Sequence, residues 1–252
     1  MFYPGEAKRL TEAVEAYLAK GKTLLQARPA KAVIAPHAGY DYSGPIAGSA
    51  YASLTAQTKG VERVILVGPS HHVPFAGVAA SRASAFHTPL GPAAVDRDTL
   101  DGLLKNGLIR EMDAAHAHEH SLEVQLPFLQ RVFPGALVVP LLVGDHDYAR
   151  VAQILEILWG GSETVVVVSS DLSHFHDYET ACRLDHETAQ SIEARLAGAV
   201  DFDRACGATP VNALLQVAAS KGLAITTVDL RNSGNTAGSP DRVVGYGAFV
   251  VG

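Results

Sequence analysis

Hydrophobic and polar positions alternate along this chain in blocks that predict a succession of strands and helices. Short runs rich in β-branched residues and bounded by Gly, Pro or polar residues predict buried strands. Such runs cover residues 31–36, 63–68, 76–80, 136–142, 164–170, 224–230 and 243–251. Between them, apolar residues at helical spacing predict helices over 6–20, 45–57, 96–105, 121–132, 147–159, 179–197 and 210–221.

This order of elements predicts an α/β fold of three layers, with helices on both faces of a central, largely parallel or mixed sheet. Strands that are apolar throughout are typical of sheets covered on both faces. No linker rich in Pro, Gly or Ser divides the chain, and no internal repeat is visible. We therefore expect one domain over residues 1–252. The polar segment 232–241 precedes the last strand, where it could fold over a neighbouring site.

Composition narrows the class of protein. Of the 252 residues, 48% are hydrophobic, which is enough to fill a sizeable core. The net charge of −6 and the absence of a long basic run argue against nucleic-acid binding. No apolar stretch reaches the length of a membrane span, and no signal peptide is visible. Only Cys182 and Cys206 are cysteines, which fits a reducing compartment, so we expect a cytoplasmic protein that does not bind membranes.

The eleven histidines are the main candidate chemistry of the chain, because several of them directly follow predicted strands. His37 follows the first strand, His71 and His72 follow the second, and Asp171 and His174 follow the fifth. In open α/β sheets, ligands bind beyond the carboxyl ends of the strands, so we expect these side chains at one edge of the sheet. Imidazoles and a carboxylate gathered there could form a metal site or an acid–base site.

Each of these motifs also has a plainer structural interpretation. His37 could cap the following helix, and the adjacent pair after the second strand could be solvated loop residues. Asp171 could serve simply to cap backbone amides. Alternatively, it could hold the tautomer of His174, three residues later, and make that imidazole an acid–base group. Cys206 lies near a predicted helix N-terminus, where a thiol can be reactive. Because no partner is visible in the sequence, a buried small residue is the favoured interpretation of Cys206.

Further polar residues could line or support such a site. Tyr40 can add a hydroxyl group to a pocket wall. His72 can support the site, because neighbouring side chains of an extended backbone face opposite sides. His120 and Glu123 lie three residues apart after Ser121, a predicted helix N-cap, and could meet there to orient a ligand imidazole. A solvated loop is the alternative for this last segment.

Several of these segments, taken in order, resemble the Memo-like family, whose bacterial and archaeal members are called AmmeMemoRadiSam system protein B. The resemblance covers nearly the whole chain and implies a fold related to the class III extradiol ring-cleavage dioxygenases. Those enzymes hold non-haem iron(II) with two histidines and one carboxylate. The segments that carry the resemblance are Phe2–Gly5, Ile34–Tyr40, Gly68–Pro74, Glu119–Glu123, Leu142–Gly144, Ser169–Phe175 and Cys206–Gly207.

The resemblance implies roles for individual residues. His37 and His71 match the metal-binding histidines, His174 matches the acid–base histidine, and Asp171 lines the same pocket. The implied cofactor is a divalent metal, with iron(II) favoured and copper or zinc as alternatives. The third ligand, a cysteine in animal members and a glutamate in the dioxygenases, is matched to 232–236, which contains neither residue. A water, Asp171 or His174 is left to fill that position.

Three functional hypotheses follow. A dioxygenase-type oxidoreductase would bind a catechol-like substrate and use His174 to move protons. A non-catalytic accessory protein would bind a peptide or a small molecule on the same scaffold. The family link implies a modification pathway that includes a radical-SAM protein and an AMMECR1-like partner. A metal-dependent hydrolase would use a bound water as its nucleophile. We expect a Memo-like metal-binding protein, and the sequence leaves these three activities open.

Overall fold

The computed structural model describes residues 2–22, 30–55, 60–145 and 147–252. The strands in these ranges are β1 (Ala32–Ala35), β2 (Arg63–Pro69), β3 (Val78–Ala80), β4 (Ala85–Thr88), β5 (Gly91–Ala94), β6 (Arg110–Glu111), β7 (Leu137–Val143), β8 (Thr164–Ser169), β9 (His174–His176), β10 (Ile225–Asn232) and β11 (Val243–Val251). The helices are α1 (Ala7–Lys22), α2 (Tyr40–Leu54), α3 (Arg97–Lys105), α4 (Asp113–His116), α5 (Leu126–Val132), α6 (Tyr148–Leu158), α7 (Tyr178–Glu193) and α8 (Ala208–Ser220).

The main sheet of the described residues has the strand order β10-β11-β1-β8-β2-β7-β3-β6, and β9 pairs with β11 off this path. Its centre is parallel, because β8 lies between β1 and β2 and runs in their direction, and β7 runs parallel to β2. The antiparallel pairs of β11 with β1 and of β3 with β7 make the sheet mixed. Strands β4 and β5 form a separate hairpin. The prediction of a largely parallel or mixed sheet is confirmed.

Alternate residues of the central strands face two different apolar cores. In β1, Ala32 and Ile34 pack into the core covered by α3, α6, α7 and α8. Val33 and Ala35 pack into the core covered by α1, α2 and α5. Both faces are therefore apolar, which explains the continuous hydrophobic runs and confirms the three-layer α/β/α prediction. In the described part of the chain, no helix is both long and apolar enough to cross a membrane.

Two predicted helix starts are wrong, and proline explains one of them. Helix α2 begins at Tyr40 rather than at residue 45, because Pro45 lies inside the helix instead of at its first turn. Helix α5 begins at Leu126, after a 3-10 turn over Glu123–Gln125, rather than at residue 121. Ser121 is therefore not an N-cap. Its hydroxyl donates to the carbonyl of Pro69 at 2.8 Å instead, and this bond joins the loop before α5 to the end of β2.

Candidate metal centre

Three imidazoles converge where the parallel strands end. His37 follows β1, His71 follows β2, and His120 lies in the loop before α5. One ring nitrogen of each residue lies within 4.8 Å of the corresponding atoms of the other two. Neutral imidazole is a ligand for zinc, copper and iron, and three such donors are the usual protein contribution to several catalytic metal sites. These three residues could therefore hold one divalent metal ion.

A glycine lets the loop that carries His120 approach the strand that carries His71. A Cβ atom built on Gly68, in β2, would lie 2.9 Å from both the Cδ2 atom of Leu122 and the Oγ atom of Ser121. Contacts this short essentially never occur in real structures, so a larger residue would have to displace these two side chains, and the hydroxyl of Ser121 is what bonds the loop to the end of β2. The absence of a side chain at residue 68 is thus part of what brings the imidazoles together.

Glu119 holds two of the imidazoles in place. Its Oε1 atom lies 2.8 Å from Nδ1 of His71 and accepts the amides of His120 and Ser121 at 2.8 and 2.9 Å, and its Oε2 atom accepts the amide of His71 at 2.5 Å. Burial would raise the pKa of this carboxyl, but the hydrogen bonds outweigh burial and lower the pKa to about 2. The carboxylate therefore accepts the Nδ1 proton of His71 and leaves Nε2 free to bind a metal. The sequence prediction gave an orienting role to Glu123, four residues later, and missed Glu119.

His37 is the most deeply buried of the three imidazoles, with 1% of its surface exposed. Its amide donates to Oδ1 of Asp171 at 2.7 Å, and its Nδ1 atom lies 2.8 Å from the hydroxyl of Ser169. Burial, followed by the neighbouring His71 and His120, lowers the pKa of His37 well below its usual value. Burial and His71 also lower the pKa of His120. Both rings are therefore neutral at pH 7, which is the form that binds metals.

A thiol lies beside the imidazoles. The Sγ atom of Cys206, just before α8, is 3.4 Å from Nε2 of His37 and accepts the amide of Asp171 at 3.3 Å. Burial raises the pKa of this thiol above its usual value. Cys206 is thus largely buried, and it also has partners that no local sequence pattern indicated. The available sequence signal was the place of the Cys206-Gly207 pair among the family motifs, since no spacing rule links this pair to the histidines.

The segment matched in sequence to the third ligand lies against α7 instead. The side-chain amide of Asn232 donates to the thiol of Cys182 at 3.4 Å, and that of Asn235 donates to the hydroxyl of Tyr178 at 2.8 Å. The matching of 232–236 to the third-ligand position is therefore wrong. The groups that lie beside His37 and His71 are instead His120, from the loop before α5, and Cys206, from the loop before α8.

A cleft of about 1070 Å³ opens beside the imidazoles. His71, Cys206 and His174 line it, together with His176 and residues 201–204. This volume is at the upper end of the range for small-molecule sites, so a substrate or a segment of a peptide fits within it. Its polar residues include His71, which follows β2, His174, which comes after β8, and Cys206, which precedes α8, so the cleft lies near the carboxyl ends of these two parallel strands.

Asp171 and His174 both come after β8, and His174 lines the cleft whereas Asp171 is buried beside His37. Asp171 is 5% exposed, and its carboxyl binds the amide of His37. Burial raises the pKa of Asp171, while the hydrogen bond from His37 and the charge of His174 act in the opposite direction. Asp171 thus caps a backbone amide, which is the plainer interpretation, and also interacts electrostatically with His174.

The remaining predicted site residues surround the centre without entering it. Tyr40 is buried, and its hydroxyl donates to a backbone carbonyl at 2.9 Å, so that this group faces the apolar core. Glu123 accepts the hydroxyl of Tyr3 at 2.7 Å. His72 is exposed, and the centre of its ring is 6.1 Å from that of His120.

Comparison with known proteins identifies a family and a similar fold. A family model described as "Memo-like protein" matches residues 1–250. MEMO1 family proteins are similar over most of their length: that of Methanopyrus kandleri is 33% identical, with 86% of this chain and 82% of the relative aligned. That of Aeropyrum pernix is 34% identical, with 99% and 96% aligned. An uncharacterized protein of Escherichia coli K12 has a similar fold, with a TM-score of 0.51 and 13% identity over 85% of this chain and 98% of that one.

Proposed function

Because this chain belongs to the Memo-like family, we propose that it is a metal-dependent enzyme whose substrate binds in the cleft beside the imidazoles. The observation that carries the proposal is the convergence of His37, His71 and His120 within 4.8 Å at the edge of that cleft. Neutral rings and a carboxylate on the far nitrogen of His71 are the conditions under which imidazoles bind a cation tightly.

The donor set limits the choice of metal. Three imidazoles with a thiol nearby suit iron, copper and zinc, and they do not suit calcium or magnesium, which favour oxygen ligands. Iron(II) is our first choice, because the likeness to the extradiol dioxygenases implies it. When bound, the metal would supply a Lewis acid or a redox centre next to the substrate. Glu119 is not proposed as a ligand, since its oxygens are occupied by N–H donors.

Residues of the chain itself would transfer protons, support the site and contact the substrate. His174 lines the cleft and would exchange protons with the substrate, a role for which imidazole is suited near neutral pH. Asp171 would hold the backbone beside the site by accepting the amide of His37. Residues 201–204 would form the far wall of the cleft and contact the parts of the substrate that do not react.

Oxidoreduction of the ring-cleavage type is the first reaction to test, within a modification pathway that includes a radical-SAM protein and an AMMECR1-like partner. Oxygen uptake should be followed with a panel of catechols and iron(II)-loaded protein. We expect uptake with the wild type, none with His174→Ala, and wild-type rates with His186→Ala, which removes an exposed histidine of α7. Equal rates for both variants would contradict the role of His174.

Hydrolysis is the second candidate, and it is favoured because the group of possible ligands found among the described residues consists of three imidazoles and no carboxylate. Three neutral nitrogen donors with room for a water are typical of one class of catalytic zinc site. Zinc-loaded protein should then cleave activated esters or phosphoesters, again with His174→Ala impaired. If neither reaction occurs and ligands still bind in the cleft, the non-catalytic role of binding a peptide or small molecule takes its place.

Metal content tests whether the protein binds a metal ion, which both reactions require. Protein loaded anaerobically with iron(II), copper or zinc and then desalted should retain about one ion per chain, whereas the double variant His37→Ala, His71→Ala should retain none. The double variant His72→Ala, His186→Ala is the matched control, because both of its histidines are exposed. If the wild type retains none of the three metals, the proposed function is wrong.

A further inference from the structure

The hydroxyl of Ser169, the last residue of β8, is the centre of a buried hydrogen-bond network. Ser169 has no exposed surface. Three groups surround its Oγ atom: the carbonyl of Ser121 at 2.6 Å, Nε2 of Gln125 at 2.8 Å and Nδ1 of His37 at 2.8 Å. A serine hydroxyl has one proton to donate and two lone pairs that accept. The chemistry of each partner therefore decides where every proton of the network lies.

Two of these partners have fixed roles. The carbonyl of Ser121 can only accept, so the proton of Ser169 must point towards it. The amide of Gln125 is oriented by its other contacts, because Nε2 also donates to the carbonyl of Pro36 at 2.9 Å and Oε1 accepts the hydroxyl of Tyr51 at 2.9 Å. A flipped amide would place two oxygens against each other at Pro36 with no proton between them. Gln125 therefore donates to Ser169.

One lone pair of Ser169 is then left for His37. Because the hydroxyl proton is already directed to Ser121, Nδ1 of His37 must carry a proton and donate it. A neutral imidazole has a single N–H, so Nε2 of His37 bears an unprotonated lone pair. Nε2 is the atom that lies 3.4 Å from the thiol of Cys206.

We propose that Ser169, whose proton is directed to the carbonyl of Ser121, is a positioning residue that fixes the tautomer of His37 before any metal binds. The opposite tautomer would place a proton on Nε2, where it would repel a cation, and would leave Nδ1 without a donor in a sealed interior. His71 has its tautomer set by the charged Glu119, whereas His37 has its tautomer set by neutral groups only. The effect on metal affinity rests on the proposed function, but the tautomer is a property of the metal-free protein.

The tautomer can be measured directly. Nitrogen-15 spectra of histidine-labelled, metal-free protein at pH 8 distinguish a protonated from an unprotonated ring nitrogen, and the His37→Gln variant identifies the His37 signals. We expect a protonated Nδ1 and an unprotonated Nε2 for His37 in the wild type. A protonated Nε2 in the wild type would overturn the inference without reference to any variant.

Substitution tests the cause of the tautomer. Ser169→Ala removes the acceptor of Nδ1 and should populate the Nε2-protonated form, whereas Gln125→Leu leaves the proton of Ser169 on the carbonyl of Ser121 and should keep Nδ1 protonated. The zinc affinity of Ser169→Ala should fall about 10- to 100-fold, as expected when a partner behind a ligand imidazole is lost. Ser53→Ala is the matched control, because Ser53 is also buried and, within the part of the chain that the structure describes, its hydroxyl donates to the carbonyl of Ala50 in α2.

The outcomes separate this inference from the proposed function. If Ser169→Ala keeps the wild-type tautomer and the wild-type zinc affinity, the network does not position His37 and the inference is wrong. If the tautomer shifts in Ser169→Ala while even the wild type binds no iron, copper or zinc, the network stands and the metal-dependent function fails. If both the tautomer and the affinity shift, both are supported.

Discussion

Two buried carboxyl groups support opposite sides of the candidate site, and their pKa values shift in opposite directions. Glu119 supports His71, and burial is outweighed there by four N–H contacts, so that its pKa falls to about 2. Asp185, on α7, accepts the amide of Ser173 at 3.0 Å and so supports the loop before His174. There burial dominates and raises the pKa of Asp185 to about 6.

The comparison shows that the number of hydrogen-bond donors around a carboxyl group, and not burial alone, determines whether the group remains charged in this protein. Glu119 and Asp185 are 5% and 3% exposed, so burial does not distinguish them. A Cβ atom on Gly245 would lie 2.0 Å from Oδ2 of Asp185, which means that the backbone of β11 covers this carboxyl closely. The centre is thus flanked by a fixed anion on the side of the imidazoles and by a carboxyl that gains a proton readily on the side of His174.

The largest expected effect is the loss of the fixed anion. Glu119→Gln removes the charge and replaces an acceptor oxygen by an amide group that faces N–H donors. From the lowering of the pKa from 4.5 to about 2, we expect the free energy of unfolding at pH 7 to fall by about 3 kcal/mol. Urea denaturation measures this loss. Glu12→Gln, at an exposed position of α1, is the control, and an equally small effect of both substitutions would contradict the account.

The opposite substitution should stabilise the protein. Asp185→Asn removes a charge that the folded state accommodates poorly at neutral pH, and its side-chain oxygen can still accept the amide of Ser173. Because the pKa rises from 3.8 to about 6, we expect a gain of about 3 kcal/mol in the free energy of unfolding at pH 7.5. A loss of stability in the same urea experiment would show that Asp185 is held by donors as Glu119 is.

The two carboxyls should also give opposite dependences of stability on pH. The contribution of Glu119 is present above pH 4.5, the ordinary pKa, and is lost as the pH falls towards 2. The contribution of Asp185 is fully present below pH 3.8 and is lost as the pH rises through 6. Each slope is at most about 1.4 kcal/mol per pH unit.

Difference profiles isolate these slopes from those of other groups, such as His37. The free energy of unfolding of the wild type minus that of Glu119→Gln should increase with pH between about 2 and 4.5. The corresponding difference for Asp185→Asn should decrease between about 3.8 and 6. Profiles of the same sign would refute the contrast between the two groups.

An exposed carboxyl should show the smallest effect. Glu187, two residues from Asp185 on α7, lies 3.3 Å from both Arg183 and Arg204, and 42% of its side chain is exposed. Because water screens such pairs, Glu187→Gln should change the free energy of unfolding by about 0.5 kcal/mol or less. A change as large as that expected for Glu119→Gln would mean that buried hydrogen-bond donors do not determine how much a carboxylate contributes to the free energy of unfolding.

Most of the fold could be predicted from the sequence, because its signals are local. Each predicted strand and helix overlaps an observed one, since continuous apolar runs and helical spacing report directly on burial between two helical layers. The hairpin of β4 and β5 was missed, because its strands are short and mostly not buried. Strand β9 was missed because it forms only through pairing with β11, a distant segment.

Within the candidate site, the sequence predicts the positions of only those residues that directly follow a strand. His37, His71 and His174 follow strands of one sheet, and the rule for strand ends places them at the same edge. His120 and Cys206 come from loops whose positions depend on tertiary contacts, such as the approach to Gly68, and no local pattern encodes those contacts.

The central claim is that the third imidazole belongs to a metal centre, and calorimetric titration of metal-free protein with zinc tests it most directly. His120→Ala should weaken binding at least about tenfold, since it removes one of three donors. His72→Ala, which removes an exposed histidine whose ring lies 6.1 Å from that of His120, should leave the affinity unchanged. Equal zinc affinities for the wild type and His120→Ala would contradict the account.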